Sequence, residues 1–183
     1  MKVIAISGYK AHELRIFGRD HPGIFYIKKA IERRLKPFVE EGLEWVVISG
    51  QIGVELWAAD VVFSLQKEFP ALKLAVLTPF LNQEAHWKDE TKADYQRILQ
   101  QADYVNSISK RPYSSPAQLR AKNEFIVANV DGILLLYDED MSGTPKYVLE
   151  AAKKRQRRDP DFPIYFITLY DLQVLIEEDQ NFY

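Results

Sequence analysis

Three short stretches carry the residue types that hold a phosphorylated ligand. In "VVISGQIGVELWAAD" (46–60) an apolar, β-branched run stops at Ser49 and Gly50, and after Gly53 a helical pattern begins whose first turn contains Glu55. A strand that turns through glycines into a helix start leaves backbone N–H groups and the positive end of the helix dipole pointing the same way, which favours an anion. The plainer alternative is a strand–helix turn that needs its glycines only for conformational freedom. "SGYK" (7–10) adds Gly8 for close backbone approach, with the ring of Tyr9 and the cation of Lys10 beside it. In "YDEDMSGTPKYVLEAA" (137–152), Ser142, Gly143 and Thr144 precede Pro145, a residue favoured at the first helical position. Such residues can donate hydrogen bonds to phosphate or serve as ordinary N-caps.

Glu55 would repel a phosphate placed against it. Its expected partners are ribose hydroxyls, the role an acidic residue plays in dinucleotide sites. The simpler reading is a first-turn glutamate favoured by the dipole, worth about 0.3–1 kcal/mol. Neither the phosphate loop G-x-x-x-x-G-K-[ST] nor the G-x-G-x-x-G fingerprint is present. That argues against ordinary nucleotide hydrolases and dehydrogenases. Trp57, two residues past Glu55, points away from it and is expected to pack in the core. Trp87, in "NQEAHWKDE", either covers a nucleobase or anchors a loop. His12, His21 and His86 lack metal-ligand spacing, so no metal is expected. "AAKKRQRRD" (151–159) reads as a solvated helix end whose cations suit the dipole, with a phosphate-backbone patch as the alternative. In "RPYSSP" (111–116), Arg111 and Tyr113 are either contacts or plain loop.

The elements that must position these residues are legible as alternating patterns. Apolar runs at 2–7, 45–49, 72–78, 103–108, 131–137 and 163–168 read as strands. Helical spacing fills the intervals: Ile24, Ile27, Ile31, Leu35 and Phe38 mark a helix over 24–41, stopped by Gly42. Further helices are expected over 54–68, 88–101, 116–129, 145–158 and 169–178. Runs such as "GILLL" suit strands covered on both faces, and their alternation with helices implies a mainly parallel sheet. The expected architecture is a Rossmann-like three-layer α/β/α sandwich, with ligands beyond the carboxyl ends of the strands.

The chain has 183 residues, enough for one domain over 1–183 with a continuous core. A formal net charge of −2 supplies no global field toward nucleic acid or anionic membrane. The absence of cysteine removes disulfide and thiolate chemistry. No apolar run approaches the roughly 20 residues of a membrane span, and the first one is too short for a signal peptide. A soluble, cytoplasmic protein without membrane insertion is expected.

The stretches "MKVIAISGYK", "SGQIGVELWAA", "KADYQRILQQADYVNSISKRPY" and "KNEFIVANVDGILLLYDEDMSGT" resemble the YpsA-like family. These are small bacterial proteins within the SLOG superfamily of Rossmann-like nucleotide-binding domains, and the resemblance runs over essentially the whole chain. The late segment is also similar to the core of the DNA-processing A proteins, which carry an Arg-Asn pair followed by Ser-Gly-Ser. Here those positions hold Lys122, Asn123, Ser142, Gly143 and Thr144. The superfamily's cytokinin-activating phosphoribohydrolases use an arginine and a glutamate. The corresponding positions hold Lys122 and Tyr147, with Glu150 one helical turn on, which counts against that activity.

The resemblance implies a nucleotide-type ligand, ADP-ribose-like or NAD-like, held by Gly8, Tyr9, Lys10, Gly50, Gly53, Glu55, Asn123, Ser142, Gly143 and Thr144. It implies a sensor or regulatory module that passes its state to a protein partner. Two alternatives stand beside it: an enzyme that cuts an N-glycosidic bond through Glu55 or Glu150, and a single-stranded DNA binder that depends on the cations of 153–158.

Overall fold

The structure is a computed structural model that describes residues 1–181. Six strands form one fully parallel sheet: β1 (Val3–Gly8), β2 (Trp45–Ile48), β3 (Lys73–Thr78), β4 (Tyr104–Ser107), β5 (Gly132–Leu136) and β6 (Ile164–Ile167), in the order β4-β3-β2-β1-β5-β6. Ile4 faces Val46 on one side and Gly132 on the other, so β1 is the central strand from which the chain builds outward in both directions. Its neighbour β5 is buried along its whole length, as a doubly covered apolar run requires.

Helices α1 (Pro22–Glu40), α2 (Val54–Gln66), α3 (Asp89–Gln101), α4 (Ala117–Ala128), α5 (Pro145–Gln156) and α6 (Leu169–Gln180) make the crossovers. Right-handed connections put α1, α2 and α3 on one face of the sheet and α4 and α5 on the other. The packing agrees: α1 lies against α2 and α6, α2 against α3, and α4 against α5. This is the Rossmann-like three-layer sandwich. Its strand order reverses between β1 and β5, so the loops that follow these two strands leave toward opposite faces.

Helix α1 begins two residues before the predicted start. Pro22 takes the first helical position and the His21 Nδ1 accepts the Gly23 amide, a cap that apolar spacing does not reveal. A single 3-10 turn, Ala11–Leu14, was not expected; four residues carry no period to read. The basic run near the end of α5 is partly structural. Arg155 donates to the carbonyls of Val127 and Val130, closing the end of α4, and stacks 4.0 Å over the Phe162 ring. Lys153 and Lys154 pair with Glu139 and Glu124.

Gly53 caps α2 with φ 94°, and a Cβ there would come within 2.5 Å of the Ala11 nitrogen and 2.6 Å of the Tyr9 carbonyl oxygen. Both neighbours are backbone and cannot step aside. Gly53→Ala should therefore cost about 3 kcal/mol or more, read as a lower urea midpoint for unfolding.

Candidate functional site

The predicted residues gather at the carboxyl edge of the sheet, but in three groups that face different ways. The first is the crevice where the strand order reverses. Tyr9 fills it: the side chain is fully buried, 5.6 Å from the Tyr137 ring, and its hydroxyl accepts the Asp138 amide at 2.9 Å and donates to the Met141 carbonyl at 2.6 Å. Beside it the Glu13 carboxylate accepts the Lys10 amide, the Thr144 amide and the Thr144 hydroxyl, each at 2.8 Å. Gly143 lies directly against the Tyr9 ring and Glu13. The donors expected to face a phosphate at the start of α5 thus face a carboxylate of the chain itself. Pro145 contributes no N–H, and the Lys146 and Tyr147 amides bond back to Gly143 and Thr144.

Burial pushes the Glu13 carboxyl up, but the hydrogen bonds from Lys10 and Thr144 outweigh it and hold the group below its usual value. Hydrogen bonds to the charged form have this effect.

The second group is an inner crevice between α4 and the sheet, lined by Ser7, Ser49, Glu55, Lys122, Asn123 and apolar neighbours. Glu55 is 4% exposed. One oxygen accepts the Ser49 amide (2.6 Å) and hydroxyl (2.8 Å), and the other accepts the Ser7 hydroxyl (2.9 Å). The side chain expected to meet ribose hydroxyls thus meets two serine hydroxyls. Gly50, with φ 80°, lies between Tyr95 and Gln83, and Gly8 lies under Val54. Asn123 is buried in α4 beside Lys122. Burial pulls the Lys122 ammonium down, against the Glu55 charge that raises it; the nearby Lys10 charge lowers it further.

The third group is an outer cleft of about 530 Å³ on the α1–α2–α3 side, bounded by the segments that follow β1, β2 and β3. Gly53 is the one predicted binding residue on its wall. Trp57 points away from Glu55 as expected, yet it is half-buried and lines this cleft, so core packing is only part of its role. Trp87 is an anchor, edge-on against Tyr95 at 5.1 Å, and it also lines the cleft.

A chain of ion pairs frames the opening. Arg19 meets Glu90 at 2.7 Å and Asp94 at 3.1 Å; Asp60 meets Arg97 at 3.0 Å and Lys28 at 3.2 Å. Sequence reasoning did not single out Ser7, Glu13, Arg19, Lys28, Asp60 or Arg97. Only Glu13 had a readable signal, an acid in the first turn after "SGYK". Tyr147 and Glu150, at or near the position of the hydrolases' glutamate, are both exposed on α5 and do not line the inner crevice.

The YpsA family model, described as YspA SLOG family, matches residues 4–172. The chain is similar to the UPF0398 protein YpsA of Bacillus subtilis, 55% identical over 179 residues that cover 98% of this chain and 99% of that protein. It is also similar to a UPF0398 protein of Bacillus cereus (strain Q1), 57% identical over 180 residues, with 98% and 97% covered. Among solved structures, DNA processing protein A from Helicobacter pylori, a protein with a single-stranded DNA binding mode, aligns with a TM-score of 0.57 and 17% identity. The alignment covers 100% of this chain and 81% of that one. At that identity the likeness is one of fold.

The Glu13 contacts predict an acid-dependent loss of stability. A carboxyl held low in the folded state stabilises above its unfolded value and loses that contribution as pH falls through the folded one. Stability should therefore decline as pH drops below about 4.5, the ordinary glutamate value. Glu13→Gln should be less stable at pH 7 and show a shallower decline, checked by urea unfolding from pH 7 to pH 3.

Proposed function

The chain belongs to the YpsA SLOG family, and from that premise we propose that it is a cytoplasmic nucleotide-binding module that senses an ADP-ribose-like or NAD-like ligand and presents its state to a protein partner. The observation that carries this reading is the outer cleft of about 530 Å³ beyond the carboxyl ends of β1, β2 and β3, lined by two tryptophan side chains and by Arg19, Lys28 and Arg97. A volume in the range of about 300–1,000 Å³ suits a small organic ligand. Indole faces suit a nucleobase, the carboxylates of Asp60, Glu90 and Asp94 suit ribose hydroxyls, and a phosphate would compete with those carboxylates for the guanidinium groups they hold.

In this proposal Gly53 borders the ligand. Gly8, Tyr9, Lys10, Gly50, Glu55, Gly143 and Thr144 belong to the frame that holds the β1–α1 and β2–α2 turns in place, with Asn123 buried in α4 and Ser142 exposed beside Gly143. Among the described residues no helix is long and apolar enough to cross a membrane.

Single-stranded DNA binding is the second reading. Its support is the fold shared with DNA processing protein A, together with the exposed Tyr147 ring, over which Lys146 lies at 5.0 Å. The ion pairs of Lys153 and Lys154 and the internal role of Arg155 weaken it.

A thermal-shift series with ADP-ribose, NAD, AMP and a thymidine oligonucleotide tests both. A ligand at about 100 times its Kd adds roughly 2.7 kcal/mol, on the order of 5–10 °C for a domain of this size. The expected result is a shift of that size for ADP-ribose or NAD, lost in Trp57→Ala and Trp87→Ala. A shift from the oligonucleotide alone, falling steeply with salt, selects the second reading. No shift from any of the four overturns both.

A further inference from the structure

The edge strand β4 is paired with β3 alone, and the segment that starts with it has a charge unlike the rest of the chain. The protein carries 26 acidic residues among 183, yet none falls between Tyr104 and Asn123, a stretch that holds Lys110, Arg111, Arg120 and Lys122. Lys122 is buried and the other three are exposed. The acids that flank the stretch are engaged: Asp103 accepts the Leu74 amide at 2.8 Å, and Glu124 pairs with Lys154 at 3.6 Å. Among the described residues no carboxylate pairs with Lys110 or Arg111. Two rings stand beside these cations, Tyr104 at 49% and Tyr113 at 56% exposure.

Hydrogen bonds join these groups into one surface. The Tyr104 hydroxyl accepts the Asn106 side-chain amide at 3.1 Å, and the Asn106 side-chain oxygen accepts the Lys110 ammonium. Gln118 of α4 gathers the turn that follows: it accepts the Ser114 amide at 2.7 Å and donates to the Pro112 carbonyl at 3.1 Å. The Leu81 amide bonds the Arg111 carbonyl at 2.9 Å, and the Phe80 ring lies 5.2 Å from that of Tyr113. Arg111 and Tyr113 therefore project from a fixed backbone.

We propose that this edge is a binding surface for single-stranded RNA, with Lys110 and Arg111 on two phosphates and bases stacked on Tyr104 and Tyr113. Phosphates supply the negative charge that the surface lacks, and unpaired bases supply flat faces for its rings. A duplex hides those faces between neighbouring pairs. The exposed Ser114 hydroxyl has no partner among the described residues, and a ribose 2′-hydroxyl, both donor and acceptor, matches it where deoxyribose offers nothing. Lys110, Arg111, Tyr104 and Tyr113 do not line the outer cleft, so the proposal stands apart from the nucleotide reading. It differs from the single-stranded DNA reading in both polymer and surface.

Fluorescence anisotropy of a labelled uridine dodecamer, titrated with the full chain, tests it. Two phosphate contacts on a single strand give a slope of about −1.4 for log K against log salt, roughly a sevenfold loss of affinity between about 50 and 200 mM. Lys110→Gln combined with Arg111→Gln should bring that slope close to zero. Tyr113→Ala should weaken binding about tenfold, the share of one stacked base. A thymidine dodecamer and a uridine–adenosine duplex should each bind more weakly than the uridine strand. The proposal is overturned if the uridine strand does not bind, if the double variant keeps the salt slope, or if the thymidine strand binds as tightly. Loss of binding in Tyr147→Ala but not in Tyr113→Ala moves the polymer to α5, which overturns this surface and leaves the second reading of the function standing.

Discussion

A carboxylate placed under the surface must find hydrogen-bond donors for both of its oxygens, and the architecture around Glu55 follows from that requirement. Its oxygens take two donors from Ser49 and one from Ser7, so a residue in the first turn of α2 fastens the carboxyl ends of β1 and β2 together. Parallel strands receive no help from a tight turn between them. A side chain bridging their ends fixes how the two following segments leave the sheet. From there the Val54 amide reaches back to the Tyr9 carbonyl at 3.1 Å, and the β1–α1 turn is seated on the start of α2.

The crevice between β1 and β5, where an open parallel sheet ordinarily receives its ligand, is closed by this chain's own groups. Tyr9 fills the apolar space and Glu13 satisfies the donors that begin α5. An open cleft of about 530 Å³ lies to one side, on the α1–α2–α3 face, framed by charged residues from four segments. Surface ion pairs of this kind contribute little one at a time. Here they form a continuous series from Lys28 through Asp60, Arg97 and Asp94 to Arg19 and Glu90, which orders the rim of the cleft.

The alternation of strands and helices was legible because doubly covered strands leave unbroken apolar runs such as that of β5, and helices a period near 3.6 residues. The helix of Ile27, Ile31 and Leu35 shows this well; all three are buried. Its start was not, since Pro22 and the His21 cap lie outside the apolar stripe. At the site, the residue types at 142–144 and 50–55 were readable as anion-binding chemistry. The anion that Thr144 meets is Glu13, 131 residues away in sequence and brought near only by the sheet.

Glu13 has a further consequence. A carboxylate tethered a few residues from the end of β1 confronts the Thr144 donors at an effective concentration that, for a short tether, lies in the millimolar range or above. A free phosphate must outcompete that intramolecular rival before it touches the start of α5, and at the scarce concentrations of most phosphorylated metabolites it would lose. Gly143 and Thr144 are then a self-addressed recognition element: a docking code by which the chain binds part of itself.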